Sequence, residues 1–489
     1  MSETEKLHAE AQRAMEAGDT LRALTAADEL LKRDASNVDA MFIAGTSMLL
    51  SGHEGTGLVL LNAARCATKD PTKLGPIWDN IGCAFQNYHP DEAYKAFKKA
   101  LEYGEGRGTY DNLCNVASQI GRHAEALEFS DKVDKVNPAH NRSFALMHLG
   151  RWGEGWAEFA KCAGTSVRPR TERNYGLPRW DGKKKGKVII HGEQGVGDEI
   201  MFMSMCPTDF DGVIDCNPRN EGLFARSFPK AKVYGTLLQN AVEWPIAEKA
   251  DYHIEMGGLG EYFATEPFSW GGFLAADPAR CAMWRAWLDA GAGGGAGGVA
   301  AQPLEASGAI PGVGRGRGES AVRHIHECVR VGIAWTGGTW ETGRAKRSVP
   351  FDLIAAKLFA QHPDVTFVNL EYEDRREELK AHPEVLNPYW ATKKGADLDD
   401  LAALVSSLDL VISPTQSVVD LCGGLGVPVW VFTDEHPQWR YATAAGEDRM
   451  WFYESARLFR QRSEDNGKWD RVVNNVTTAL HQLKMKQAA

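Results

Sequence analysis

The feature that most constrains this 489-residue chain is a 34-residue spacing in its N-terminal third. Turn-like pairs begin at Gly18, Gly52, Asn87 and Gly121; Gly18 and Gly52 are 34 positions apart, and so are Asn87 and Gly121. Each pair is followed by a segment of helical periodicity. A period of this length is typical of stacked helical hairpins, in which each hairpin buries its apolar face against its neighbours. Residues 4 to about 160 are therefore predicted to form an array of hairpins.

The predicted helices carry small residues where two helices of a hairpin would cross, as in "AGDTLRALTAADELLKRDASN" and "YHPDEAYKAFKKALEYG". Pro71 and Pro138 stand where the second helix of a unit is expected to stop. The pattern resembles a tetratricopeptide array of about four units and a half-unit, "LMHLGRWGEGWAEF", and predicts a helical domain over 1–160. The alternative is an unrelated helical bundle with accidental spacing. An array of this kind is expected to dock an acceptor or partner protein, or to mediate self-association.

From Gly186 onward the sequence changes to short apolar runs that alternate with helical segments. These runs are "KVII", "GVIDC", "AKVYG", "RVGIAW", "VTFVNL", "LDLVIS" and "VPVWVF". Runs of this length predict buried parallel strands of doubly wound α/β domains. The glycine-rich stretch 289–320 separates them and is predicted to be a flexible insert. The predicted fold is thus α plus α/β, with Rossmann-like domains over 161–288 and 321–489.

The composition limits the classes of function. A formal net charge of -10 disfavours a broad nucleic-acid surface, although a local basic groove stays possible. Nine cysteines without a C-x-x-C pair predict reduced thiols in a cytoplasmic protein and no structural zinc. The N-terminus lacks the apolar core of a signal peptide, and no apolar run reaches 18 residues. A secreted or membrane-spanning protein is therefore not expected.

The first candidate site is "HGEQGVGDEIMF", residues 191–202, which follows the predicted strand "KVII". Its glycines have the order G-x-x-G-x-G, which differs from the dinucleotide fingerprint, and a plain strand-to-helix turn is the simpler alternative. Asp198 falls in the first turn of the predicted helix, where a carboxylate can accept a proton from a bound hydroxyl. The surrounding acceptor-side loop comprises His191, Glu193, Gln194, Gly195 and Gly197.

Two further motifs follow the predicted strands of the second α/β domain. Residues 331–354 bring Arg344, Lys346 and Arg347 together after Trp335 and Gly337, and clustered cations suit a diphosphate; a solvated basic turn is the alternative. Residues 408–432 lead from a strand through Thr415, Gln416 and Ser417 into a helix that contains Asp420. The unpaired N–H groups at the start of that helix could bind an anion.

Taken in order, "GEQGVGDEIMF", "GIAWTGG…RSVPFDLI", "LDLVISPTQSVVDLCGGLGVPVWVF" and "WFYESARLFRQ…KWDRVV" resemble bacterial tetratricopeptide-containing glycosyltransferases of GT-B fold. That family is similar to heptosyltransferases and to O-linked N-acetylglucosamine transferases. The resemblance covers residues 186–480 and implies an inverting transfer from a nucleotide sugar to an acceptor hydroxyl, without cofactor or metal. The acceptor could be a protein or a glycan. Hexosyl, pentosyl and heptosyl donors all stay open.

The resemblance also implies roles for individual residues. Asp198 matches the general base, Arg347 matches the cation that neutralises the donor diphosphate, and residues 415–417 match the phosphate-binding turn. This chain departs from the family pattern, which has Asp-Thr-Ala in that turn and a histidine shortly afterwards, whereas here Asp420 follows. Two alternatives follow from these observations: a tetratricopeptide scaffold whose transferase-like part is inactive, and a nicotinamide oxidoreductase, which the glycine order disfavours.

Overall fold

The computed structural model describes residues 2–104, 106–133, 136–165, 168, 175–239, 241–264, 271–293, 329–338, 343–442 and 448–488. The chain divides into two compact units, Met1–Val167 and Arg168–Ala489. The first unit is helical and the second combines helices with parallel β-sheets. The predicted class, helical repeats followed by α/β structure, is therefore confirmed at this level.

Ten helices lie within the described residues of the helical unit. They are α1 (Glu3–Glu16), α2 (Thr20–Arg33), α3 (Val38–Leu50), α4 (Glu54–Ala67), α5 (Pro71–Phe85), α6 (Pro90–Leu101), α7 (Arg107–Gln119), α8 (His123–Ser130), α9 (Val136–His148) and α10 (Trp152–Lys161). Consecutive helices pack in pairs, from α1 with α2 to α9 with α10. The unit is thus a tetratricopeptide-type array of five hairpins, and the segment predicted to be a half-unit completes the fifth.

The turns inside the hairpins explain the repeated glycines. Gly18, Gly52, Gly121 and Gly150 have φ angles of 73°, 78°, 75° and 73°, in the left-handed region that favours glycine. Each lies between the two helices of a hairpin. The spacing read from the sequence is therefore the spacing of the tight turns.

Pro71 and Pro138 do not end helices as predicted. Pro71 is the first residue of α5, after the N-cap Asp70, whose side chain accepts from the Thr72 N–H at 2.9 Å. Pro138 is the third residue of α9. Residues of a first helical turn have no intrahelical partner for their N–H groups, so proline is tolerated there. Both prolines consequently mark helix starts.

The second unit contains two parallel sheets. The strands are β1 (Val188–His191), β2 (Val213–Asp215), β3 (Lys232–Tyr234), β4 (Tyr252–Glu255), β5 (Val329–Ile333), β6 (Val365–Asn369), β7 (Leu410–Pro414), β8 (Val429–Thr433) and β9 (Ala456–Arg460). The first sheet has the order β3-β2-β1-β4 and the second has the order β6-β5-β7-β8-β9. All seven predicted strands are present. β4 and β9 were not predicted, since neither has a continuous apolar run; the other two edge strands, β3 and β6, were predicted.

The helices of this unit are α11 (Val196–Met203), α12 (Glu221–Ser227), α13 (Trp244–Glu248), α14 (Gly260–Phe263), α15 (Pro278–Gly293), α16 (Arg344–Arg347), α17 (Phe351–Ile354), α18 (Arg376–Leu379), α19 (Tyr389–Thr392), α20 (Leu398–Val405), α21 (Ser417–Leu425) and α22 (Asp470–Ala488). Helix α15 continues to Gly293, past position 289, where the flexible insert was predicted to begin. The rest of that predicted insert, from residue 294, lies outside the described residues.

The candidate site lies at one edge of the second sheet, above a core of buried residues. Val331, Ile333 and Ile412 are fully buried there, together with Val472 and Val476 of α22. Because the strands are parallel, the segments that leave their carboxyl ends meet at one edge of the sheet. Among the described residues, no helix combines the length and apolar character that crossing a membrane requires.

Candidate functional site

The site is built where two helix N-termini meet. Helix α11 follows β1 of the first sheet, α21 follows β7 of the second sheet, and the two helices are in contact. A Cβ built on Gly197 would lie 3.0 Å from the Ser417 Cβ and 3.0 Å from Asp420 Oδ2. A glycine allows this close approach without displacing the neighbouring atoms. The glycine of the first motif thus brings Asp198 next to the turn of the third motif.

Asp198 is the third residue of α11, as the sequence predicted. Its Oδ2 accepts a hydrogen bond from the Gly195 N–H at 3.1 Å, which fixes the carboxylate against the start of the helix. Its Oδ1 accepts from Nη2 of Arg440 in the 3₁₀ turn Trp439–Tyr441, after β8. The Asp198 side chain is 24% exposed. The predicted base is therefore partly exposed and forms an ion pair.

Arg440 was missed by the sequence reasoning. Its Nη1 lies 3.7 Å from Asp420 Oδ2, so one guanidinium joins carboxylates of α11 and α21. Although burial opposes its charge, Asp198 and Asp420 raise the pKa of Arg440. Burial raises the pKa of Asp420 to about 7, the Arg440 charge opposing and the Asp198 charge adding to this shift. The sequence feature that could have identified Arg440 is its position as a single arginine between Trp439 and Tyr441, after an apolar strand.

The basic loop is divided between two partners. Arg347 is buried; its Nε donates to Thr415 Oγ1 at 2.7 Å and its Nη2 donates to the Thr415 carbonyl oxygen. Burial lowers the pKa of Arg347. Arg344 instead donates to both oxygens of Glu373, at 2.6 and 2.5 Å. Lys346 is half-buried. Of the three cations, the structure brings Arg347 to the predicted phosphate turn and directs Arg344 toward Glu373.

The phosphate turn leads directly into α21. Thr415 is buried, Gln416 is the N-cap residue, and Ser417 is exposed at the first helical position. The Gln416 side chain makes no capping bond; its Nε2 donates to Ser413 Oγ at 2.9 Å. The first N–H groups of the helix therefore receive no side-chain cap from Gln416. A helix start of this kind, beside a buried arginine, favours an anion.

Trp335 and Gly337 shape the loop from within. The Trp335 ring is buried in the core, with its centroid 4.9 Å from that of Phe351, so this side chain does not face the site. The Gly337 N–H donates to Ser348 Oγ at 3.1 Å, and a Cβ on Gly337 would lie 2.6 Å from the Arg347 Cβ. Gly337 thus lets Arg347 approach.

Glu371, two residues beyond β6, is a buried carboxylate that the sequence analysis missed. Its Oε1 accepts from the Trp335 and Thr336 N–H groups at 2.7 and 2.6 Å. Burial raises the pKa of Glu371, and its Oε2 has no hydrogen-bond partner within the described residues. An acidic residue after a strand was the only signal.

Most of the predicted acceptor-side loop has a structural role. Buried Glu193 pairs with Arg168 and accepts from the Gly257 N–H at 2.9 Å. His191 is buried in β1, with its Nε2 3.2 Å from His253 Nδ1. Gln194 is half-buried and Gly195 is exposed. The glycines, rather than His191 or Glu193, therefore lie beside Asp198.

Glu199, the neighbour of Asp198 in sequence, points into the interior. Its carboxylate accepts from the Asn217 N–H at 3.0 Å and from Asn220 Nδ2 at 2.7 Å. Burial raises its pKa to about 8. Within the described residues, no group of three or more His, Cys, Asp and Glu side chains is placed to hold a metal ion.

No protein-family model matches the chain. The sequence is 27% identical to protein FlbA of Caulobacter vibrioides over 476 aligned residues, covering 83% of this chain and 72% of that protein. A crystal structure of MamA aligns with 35% of this chain and 96% of its own length, at 19% identity and a TM-score of 0.29. YrrB, described as a TPR protein with an unusual peptide-binding site, aligns over 32% of this chain and 83% of its own length, at 16% identity and a TM-score of 0.28. These likenesses assign no activity to the chain.

Proposed function

We propose that the α/β unit is a glycosyltransferase of GT-B type, which moves a sugar from a nucleotide-sugar donor to an acceptor hydroxyl. The observation that carries this proposal is the contact of Arg347 with Thr415 at the start of α21, on the side where Asp198 of α11 arrives. A buried cation at a helix N-terminus suits a diphosphate, and a carboxylate across the cleft suits an acceptor hydroxyl. The scattered cysteines support a cytoplasmic location for this activity.

The proposed reaction is a single displacement with inversion at the anomeric carbon. Asp198 accepts the proton of the acceptor hydroxyl while the oxygen of that hydroxyl forms the new bond to the anomeric carbon. The bond from the anomeric carbon to the diphosphate oxygen breaks, and its electron pair leaves with the nucleoside diphosphate. Arg347 and the first N–H groups of α21 stabilise the charge that develops on the leaving diphosphate.

The first test is binding of nucleoside diphosphates and of nucleotide sugars with different bases and sugars. A ligand that binds the folded protein raises its melting temperature in proportion to the logarithm of its concentration over Kd. We expect stabilisation by one nucleotide class and slow release of nucleoside diphosphate from the matching sugar donor. NADH serves as a control for the oxidoreductase alternative. Stabilisation by NADH alone would overturn the proposal.

A second candidate function is a binding scaffold whose α/β unit has lost transferase activity. The Arg440 ion pair favours it, since it occupies one oxygen of Asp198, and so does Asp420 in α21. In both candidates we propose that the helical array binds a protein or mediates self-association. The scaffold predicts no stabilisation by any nucleotide. Light scattering of the purified chain over a concentration series tests self-association.

A further inference from the structure

Arg440 occupies a position that the proposed reaction does not use. It follows β8 of the second sheet, yet its guanidinium bonds to Asp198 of α11, 242 positions away in sequence. The Arg440 side chain is 14% exposed, and its Nε has no hydrogen-bond partner among the described residues. One face of this cation is therefore committed to carboxylates, while a further donor is unused.

A second cation, Arg347, is bound just before α21, where it donates to Thr415. Burial is the main cause that lowers the pKa of Arg347, and the charge of Arg440 lowers it further. Arg347 is held by Thr415 and Arg440 by Asp198 and Asp420, so both cations flank the start of α21. Two guanidiniums that repel each other are stabilised together by a dianion placed between them.

We propose that Arg440 is a second diphosphate-binding residue, and that the diphosphate of the donor replaces Asp198 as its ion-pair partner. Donor binding would then release the base only when a sugar is in place to be transferred. This inference rests on the proposed function and deepens it. In the absence of donor, the ion pair keeps Asp198 from activating a hydroxyl.

The local contacts allow this exchange. The Gly195 N–H holds Asp198 Oδ2 at 3.1 Å, so the carboxylate keeps its position when Oδ1 loses Arg440. Asp420, 3.7 Å from Nη1, is near enough to keep Arg440 in the cleft during the exchange. Both side chains of this ion pair are largely buried, with Arg440 14% and Asp198 24% exposed, so the pair opens only when an incoming anion replaces the charge contact that Arg440 loses.

The test is a double-mutant cycle on the full chain, with isothermal titration of UDP, GDP, ADP and CDP at constant ionic strength. Asp198→Asn removes the carboxylate that accepts the hydrogen bond from Arg440 and leaves only Asp420, 3.7 Å away, so the nucleoside diphosphate that binds should bind about tenfold more tightly than to the parent. In an Arg440→Gln background the same change should alter affinity by less than about twofold. Asp448→Asn, which breaks the exposed Arg457 pair at 2.8 Å, is the control and should leave affinity unchanged.

The outcomes separate the two proposals. If Asp198→Asn still increases nucleotide affinity in the Arg440→Gln background, the increase reflects simple removal of a negative charge. That result would overturn the proposal that the diphosphate displaces Asp198 from Arg440. Unchanged affinity of Asp198→Asn would do the same, while the donor site itself would stand. If neither the parent nor Asp198→Asn binds any of the four nucleotides, the proposed function and this inference both fail. If Arg440→Gln does not fold, Arg440→Lys replaces it in the cycle. Because lysine cannot form two parallel hydrogen bonds to phosphate, the increase in nucleotide affinity caused by Asp198→Asn should then fall below about threefold.

Discussion

Gly197 of α11 lies directly against Ser417 of α21, so that a Cβ on the glycine would come within 3.1 Å of the Ser417 Cα. This contact joins the helix after β1 of one sheet to the helix after β7 of the other. It sets the distance from Asp198, one residue further along α11, to the turn that contacts Arg347. The geometry of the candidate site therefore depends on a backbone contact as well as on charged side chains.

Gly197→Ala tests this contact. Alanine gains up to about 1 kcal/mol of helix propensity, but overpacking against a backbone atom costs about 1–3 kcal/mol. We expect a lower free energy of unfolding in urea and weaker nucleotide binding. Gly271→Ala is the control, because a Cβ there meets no atom within 4 Å. Equal stability of the two variants would show that the helices separate at little cost.

Arg347→Ala should weaken binding of a nucleoside diphosphate by about 1.5–3 kcal/mol, the range for hydrogen bonds to charged groups. Arg344→Ala, three residues earlier in the same short helix, is the matched control. Its effect should be much smaller, because Arg344 is directed to Glu373 at 2.5 Å. Isothermal titration measures both. Equal losses of affinity for the two variants would show that Arg344 also binds the donor. Unchanged affinity of Arg347→Ala would show that Arg347 does not bind it.

Asp198→Asn should lower the rate of sugar transfer about 10²–10⁴-fold, since general-base assistance is lost. Folding should be retained, because asparagine keeps an oxygen for the Gly195 N–H. Release of nucleoside diphosphate in the presence of acceptor measures the rate. Asp211→Asn, a change at an exposed residue of the same unit, should leave it unchanged. Turnover within a few-fold of the parent would sink the assignment of Asp198 as the base.

Two glycines of α5 give a matched pair in the helical array. A Cβ on Gly82 would lie 2.4 Å from Phe97 Cε1, whereas a Cβ on Gly75 would lie 3.6 Å from the Tyr103 Cβ. Gly82→Ala should therefore destabilise the array by about 1–3 kcal/mol through overpacking. Gly75→Ala should change its stability by less than about 1 kcal/mol, because the gain in helix propensity is opposed by contact of the new Cβ with the ring of Pro76. Urea unfolding followed by circular dichroism measures both; equal losses for the two variants contradict the packing.

Glu199 predicts a pH dependence of stability. Its pKa rises from 4.5 in the unfolded chain to about 8 in the fold, so folding favours its protonated form. The resulting stabilisation is complete below pH 4.5 and is lost as pH rises toward 8. The difference in unfolding free energy between the parent and Glu199→Gln should thus decline by on the order of 1 kcal/mol per pH unit in this range. A constant difference in urea titrations across these pH values contradicts the assignment.

Elements with local signals could be predicted from the amino-acid sequence. The repeated glycines of the array are recognisable because the left-handed turns at Gly18, Gly52, Gly121 and Gly150 favour glycine. The interior strands are recognisable because both of their faces are buried, which requires continuous apolar runs. The position of Asp198 in a first helical turn and the proximity of Arg347 to Thr415 were also predicted, since both follow from the ends of parallel strands.

Contacts between distant side chains could not be predicted and are known from the folded structure. Arg440 and Asp198 are 242 positions apart, and nothing local in either segment indicates the other. His191, Glu193 and Glu199 stand in the same motif as Asp198, yet buried partners turn them away from the cleft. Edge strands β4 and β9 escaped prediction for a related reason, since their pairing depends on a neighbouring strand more than on their own composition. Ion pairs and edge pairing are contacts between distant segments, so they exist only once the sheets have formed.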